Sequence, residues 1–283
     1  MSTVDSHVHV WDPSLHRHAW LDAEPALNRA VLPADIGFAA AGVDRAVFVQ
    51  ADAAESVGEA AWVASLDWPQ LAGIVAHAPL ERSDAAEVLD QLAGIPLVIG
   101  VRRLLQDESR EFFASQALAK GLAEVARREL TFDACVRHGQ LHALYNLARS
   151  VPDLSVVIDH LGKPPVADGL YSDAGVHWLT AMAALAELDG VTVKLSGLAP
   201  EANPTSAIGP QARPFLHVAV ELFGVNRCMV GSDWPVSGHT KHSLGYAEWF
   251  SLVLDGLSLS KSEQASIAAD TASRVYGLTP AKN

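Results

Sequence analysis

Short apolar runs alternate with longer amphipathic ones along the whole chain. The first run, Val4-Asp-Ser-His-Val-His-Val10, reads as a strand ended by Trp11, Asp12 and Pro13. Seven more runs follow, at 45–50, 71–77, 96–103, 130–136, 154–160, 190–196 and 227–232. They are nearly continuous in Val, Ile, Leu and Ala, the pattern of strands buried on both faces of a parallel sheet. Helical periodicity fills the gaps, at 33–41 (ended by Gly42), 53–66, 83–92, 111–128, 139–149, 172–188 and 210–223. Two more helices are expected at 243–255 and 261–276. Eight strand–helix units in 283 residues predict an α/β fold, a parallel eight-stranded (β/α)8 TIM barrel with extra C-terminal helices. A doubly wound open sheet is the alternative. It needs a glycine-rich phosphate turn after the first strand, and His9-Val-Trp-Asp12 stands there instead. With no linker, repeat or low-complexity stretch, residues 1–283 are expected to form one domain.

The barrel reading directs attention to the C-terminal ends of the strands, where such folds gather their chemistry. Each apolar run ends in polar groups: His7 and His9, Gln50, His77, Arg102 and Arg103, Asp133, Asp159 and His160, Lys194 and Ser196, then Ser232 and Asp233. His7 and His9 are two apart, so they leave one face of an extended strand. Two imidazoles joined by the Asp233 carboxylate can converge on one metal ion or one water. Alternation admits only one of Arg102 and Arg103 to the barrel mouth, and Arg102, beside Val101, is preferred. Asp133 between Phe132 and Ala134, and Lys194 between Val193 and Leu195, are costly to bury alone, so each needs a partner or a pocket. His77 precedes Ala78-Pro79 and serves a turn as readily as a ligand.

Composition narrows the partners. The chain is 49% hydrophobic, 19% charged and carries a formal charge of −13, which opposes nucleic acid and anionic lipid. No apolar run approaches the ~18 residues of a membrane span, and the first residues lack a signal-peptide pattern. Cys135 and Cys228 lie in apolar runs without a Cys-x-x-Cys spacing, as buried thiols of a reducing compartment do. A cytoplasmic protein is expected. The Ala-rich helix at 53–66 packs equally well on a barrel or on a second copy, so a homo-oligomer is an alternative to a monomer.

Five stretches, in order, carry a family likeness: Asp5-Ser-His-Val-His-Val-Trp-Asp-Pro13, Gly100-Val-Arg-Arg-Leu-Leu-Gln-Asp-Glu108, Val157-Ile-Asp-His-Leu-Gly-Lys-Pro164, Val193-Lys-Leu-Ser-Gly197 and Met229-Val-Gly-Ser-Asp-Trp-Pro235. The chain resembles the sugar-lactonase-like branch of the amidohydrolase superfamily, which includes L-fuconolactonase, L-rhamnonolactonase and 2-pyrone-4,6-dicarboxylate lactonase. The resemblance implies a (β/α)8 barrel that hydrolyses a small sugar-acid or carboxylated lactone, with Asp233 as general base. His7, His9 and His160 would be catalytic. Arg102, Gln50, Lys194, Ser196, His77 and Asp133 would hold the substrate. Two-metal members of the wider superfamily carry a lysine or glutamate at strand four and a histidine at strand five. Arg102 and Asp133 stand there here, which argues against a bridged pair of ions. Either one divalent ion, zinc or similar, sits on His7, His9 and Asp233, or the enzyme works without metal. The alternatives are a zinc-dependent decarboxylase, a lactone isomerase and a non-catalytic sugar-acid binding protein.

Overall fold

The computed structural model describes residues 2–242 and 244–279. Eight parallel strands follow one another around a nearly closed barrel in the order of the chain. They are β1 (Val4–Val8), β2 (Arg45–Val49), β3 (Leu71–His77), β4 (Val98–Leu104), β5 (Thr131–Cys135), β6 (Val156–Ile158), β7 (Val191–Leu195) and β8 (Cys228–Val230). The helices are α1 (Phe38–Ala41), α2 (Ser56–Ala64), α3 (Ala85–Ala93), α4 (Arg110–Phe113), α5 (Gln116–Arg127), α6 (Leu141–Ser150), α7 (Asp173–Ala186), α8 (Ile208–Phe223), α9 (Tyr246–Leu254), α10 (Lys261–Ala265) and α11 (Thr271–Val275). The expected (β/α)8 barrel is the observed one.

Alternation along each strand divides the apolar side chains. Val101, Phe132, Ile158 and Val193 point outward and bury against the helices. Val47, Val49, Val75, Val157 and Met229 point inward and fill the barrel floor, where Tyr276 and Leu278 of the C-terminal segment close it. The inward position above that floor is polar: Asp133 on β5 and Lys194 on β7 are both fully buried.

Several elements differ from the sequence pattern for local reasons. The single helix expected at 111–128 is two, because Ser115 accepts a hydrogen bond from Leu118 N and so starts α5 as a new helix. The last helix is interrupted by a π-helical turn, Ser266–Asp270, between α10 and α11. The start of the helix expected at 243–255 falls on Ser243, outside the described residues; α9 begins at Tyr246. Strand six stops at Ile158, so Asp159 and His160 lie in a tight turn and not in the strand. Within β1 a bulge shifts the register between Asp5 and Val8. It lets Val4 face the barrel floor while Val8, an even number of residues on, faces the helices.

Candidate active site

The seam between β8 and β1 positions the first half of the site. It is closed less by a ladder than by side chains. His9 N donates to Trp234 O at 2.9 Å and Asp233 N to His7 O at 2.8 Å. Asp5 accepts from Ser232 N (2.9 Å), Ser232 Oγ (2.6 Å), His7 N (3.1 Å) and Tyr246 OH (2.9 Å). Gly231 lets the strands approach, since a Cβ there would lie 2.8 Å from His7 Cβ. The seam thus carries His7 and His9 on one side and Asp233 on the other.

His7 Nε2 and His9 Nε2 stand 3.1 Å apart. Asp233 Oδ1 is 3.4 Å from His9 Nε2, 3.7 Å from His7 Nε2 and 3.6 Å from His160 Nε2. His160 stands where backbone rarely goes: its φ is +54°, followed by Leu161 at +53° and Lys163 at +50°. Left-handed residues other than glycine cost free energy and collect where function requires them. Ser196 Oγ, 2.9 Å from His160 Nδ1, anchors the ring from β7. Ser237 Oγ donates to Asp233 Oδ2 at 2.8 Å.

Beneath this set lies a closed ion network. Lys194 Nζ bonds Asp133 Oδ2 and His7 Nδ1 and pairs with Asp159 Oδ1 at 3.0 Å. Tyr276 OH donates to Asp133 Oδ2 at 2.8 Å. Arg102 Nη1 meets Asp159 Oδ2 at 3.1 Å, and Arg102 Nη2 donates to Gln50 O. Arg102 faces the cavity, as alternation requires, while Arg103 turns to Glu81 and Glu108.

The protonation pattern follows from burial and these partners. Burial holds His7 well below its ordinary value, with Lys194 adding to the effect and Asp159 opposing it. Burial likewise pushes His160 down to about 4 against the pull of Asp233. Burial alone would raise Asp233, but the facing His160 and the neighbouring His9 and His7 outweigh it and hold the carboxyl below the carboxylate range. At neutral pH an ionised Asp233 therefore stands beside the neutral imidazoles of His7 and His160.

The cavity above has a volume of about 350 Å³. Of the sequence-predicted residues, His9, Arg102, His160 and Asp233 line it. Gln50, Lys194, Ser196, His77, Asp133 and His7 stand behind its wall and not on it. Four of the six make contacts within the wall. Lys194 and Asp133 neutralise each other, Ser196 orients His160, and Gln50 contributes its carbonyl to Arg102. His77, at the end of β3, is mostly buried. Sequence reasoning missed most of the loop residues on the wall, among them Trp11, Trp20, Asp52, Gln106, Lys163 and Glu201. It also missed Asp5 and Tyr276. Asp5 carried a signal inside its own motif, whereas Tyr276 reaches Asp133 across 143 residues and carried none.

The donor set fits a single divalent ion. His7, His9 and Asp233 offer two imidazole nitrogens and a carboxylate oxygen within 4.8 Å of one another, and His7, Asp159 and His160 form a second such group. Tetrahedral ligands about 2.0–2.1 Å from zinc lie roughly 3.3 Å apart, close to the spacings within the first group. Asp133 commits Oδ2 to Lys194 and Tyr276 and accepts from Thr131 Oγ1 at Oδ1, and it belongs to neither group.

Known proteins share this arrangement's frame. Residues 4–278 match the family model described as amidohydrolase. An L-fucono-1,5-lactonase of Burkholderia ambifaria is 33% identical over 253 residues, covering 87% of this chain and 84% of its own. An L-fucono-1,5-lactonase of Burkholderia multivorans is 31% identical, covering 97% of this chain and 96% of its own. The crystal structure of a Burkholderia multivorans amidohydrolase with bound zinc superposes with a TM-score of 0.87 at 29% identity, covering 99% of this chain and 100% of that one. The chain belongs to the amidohydrolase family.

Proposed function

We propose that the protein hydrolyses a small, neutral, polyhydroxylated lactone of the sugar-acid type, with Asp233 as general base. The observation that carries this is the wall of the cavity: an ionised Asp233 and Arg102, with the carboxylates of Asp52, Asp107 and Glu201 and the Trp20 indole around them. The lactonases among its relatives supply the reaction type.

Asp233 takes a proton from a water in the cavity, and the water oxygen bonds the lactone carbonyl carbon. The developing oxyanion faces Arg102 and the His160 Nε2–H, a donor whenever the Ser196 hydroxyl donates to Nδ1. The ring C–O bond then breaks, and Asp233 returns its proton to the leaving oxygen, giving the open hydroxy acid. A divalent ion held by His7, His9 and Asp233 would supply a Lewis acid for the same carbonyl.

The wall selects a neutral substrate over a carboxylated one. Asp52, Asp107, Glu201 and Asp233 face the cavity, against the cations Arg102 and Lys163. Arg102 is already paired with Asp159. Trp20 spends its N–H group on Ala51 O, so it offers the cavity aromatic carbon, suited to the C–H face of a sugar, and the fully buried Trp11 packs edge-on behind it. A pH-indicator hydrolysis screen over neutral aldonolactones and carboxylated lactones tests the reading. Turnover of the neutral set is expected, and its loss by about 10³-fold or more in Asp233→Asn with the fold intact. Activity of that variant within tenfold of the parent refutes the base, and a screen without any lactone turnover refutes the reaction.

A further inference from the structure

Asp52, just past the end of β2, stands at a φ of +62°, a conformation that few side chains other than glycine adopt. Aspartate adopts it more readily than most when its carboxylate bonds the backbone nearby. Here the carboxylate is left without a hydrogen bond or ion pair among the described residues, and Asp52 lines the cavity. The backbone around it is braced instead. Asp52 N donates to Gln50 Oε1, Ala51 N donates to Glu59 Oε1 at 2.9 Å, and Ala51 O accepts from Trp20 Nε1 at 2.7 Å. Gln50 is 0% exposed and Glu59 1%, so two of the three braces come from the interior. Gln50 is fixed in turn, since its N donates to Val75 O at 2.9 Å and its carbonyl accepts from Arg102 Nη2. A residue held at an unfavourable φ by its surroundings, with its own side chain unspent, is a mark of a functional position.

The third brace has a second effect. It ties the Trp20 indole to the residue next to Asp52, so aromatic carbon and a carboxylate line the cavity side by side. Aromatic carbon suits the C–H face of a sugar ring. An ionised carboxylate only accepts, and its two oxygens have lone pairs for two neighbouring hydroxyls. The other carboxylates of the wall lack this combination. Asp107 pairs with Arg137 Nη2 at 3.2 Å, Glu201 is not at positive φ, and Asp233 stands among the imidazoles.

We propose that Asp52 is a specificity-determining residue: its carboxylate accepts from two adjacent hydroxyls of a neutral polyhydroxylated lactone whose C–H face lies on Trp20. The assignment rests on the hydrolase reading for the class of ligand. It adds what the reacting groups do not supply, a means of telling a sugar lactone from a plain cyclic ester.

The test reads binding and needs no turnover, so its failure is separate from failure of the hydrolase reading. The probes are a panel of neutral polyhydroxylated δ-lactams, in which a ring N–H replaces the ester oxygen, and δ-valerolactam, which has the same ring without hydroxyls. Affinities are measured by calorimetry for the parent, Asp52→Asn and Asp52→Gly. The parent is expected to prefer at least one polyhydroxylated lactam over δ-valerolactam. That preference is expected to fall about 10–100-fold in both variants, the range for losing hydrogen bonds to a charged group. Any general effect on the fold cancels in the ratio. Glycine takes a positive φ freely, so Asp52→Gly is expected to melt no lower than the parent while it loses the preference. A preference unchanged in both variants overturns the proposal, as does a parent that binds the polyhydroxylated lactams no more tightly than δ-valerolactam. Asp52→Gly melting well below the parent would make Asp52 a structural residue and overturn it too. Hydroxyl-dependent binding that Asp52→Asn abolishes, in a protein that turns over no lactone, would sink the hydrolase reading and leave the assignment of Asp52 standing.

Discussion

His160 owes its place to two consecutive residues at the exit of β7. Ser196 holds its Nδ1, and Gly197, at a φ of +64°, leaves the space its ring occupies. A Cβ on Gly197 would lie 2.2 Å from His160 Nδ1. Gly197→Ala therefore cannot keep the imidazole where it is, and it adds the strain of a left-handed alanine, about 1 kcal/mol. Displacement by about 1 Å from a reacting geometry costs roughly 10²-fold in rate. The variant is expected to melt within a few degrees of the parent while kcat for the lactone falls by about that factor, as steady-state kinetics with a thermal melt would record. An unchanged kcat would remove His160 from the chemistry. His160 was visible in the sequence as the polar end of an apolar run. The left-handed turn that aims it was not, because Asp-His-Leu-Gly-Lys has one glycine and three other residues at positive φ. That strain is held by tertiary contacts, such as Trp178 Nε1 donating to Leu161 O at 2.8 Å.

Among the elements, the β1–β8 seam is the one whose making depends on named side chains. Asp5 accepts four hydrogen bonds, two of them from Ser232 across the seam, while burial raises its pKa. Asp5→Ala leaves the Tyr246 hydroxyl and the Ser232 N–H and hydroxyl without that acceptor in a buried place, at about 1–3 kcal/mol for each unsatisfied group before relaxation. A net loss of about 3 kcal/mol is expected, read as a lower urea midpoint with an unchanged m-value. Asp5→Asn keeps one acceptor oxygen and is expected to lose less. Equal stability of Asp5→Ala and the parent would show that the ladder alone closes the barrel. The other seven junctions were legible as apolar runs with buried faces on both sides. The closing one was not, since pairing between residues more than 220 apart rests on Asp5, Ser6 and Ser232, polar residues that no hydrophobic period marks. The same limit applied to Lys194 and Asp133. Burial cost demanded partners for both, and each is the other's partner, beneath the pocket.

At the scale of the molecule, the neutral-substrate proposal rests on charge. The chain carries −13 overall, and the loops place Asp52, Asp107 and Glu201 at the mouth. Two cations at the strand ends are spent on carboxylates, Arg102 on Asp159 and Lys194 on Asp133 and Asp159. A carboxylated lactone therefore approaches against a field of its own sign, and a neutral one does not. Salt separates the two cases. Raising ionic strength from 0.01 M to 0.1 M shortens the screening length from about 30 Å to about 10 Å, less than the span of the protein. The kcat/KM of an anionic lactone is expected to rise several-fold over that range, while that of a neutral aldonolactone stays flat. Replacing Asp52 and Glu201 with Asn and Gln should raise the anionic value at low salt and reduce its salt dependence. If the anionic lactone is instead the better substrate at low salt and loses rate as salt is added, Arg102 and Lys163 dominate the approach, and the neutral-substrate reading falls.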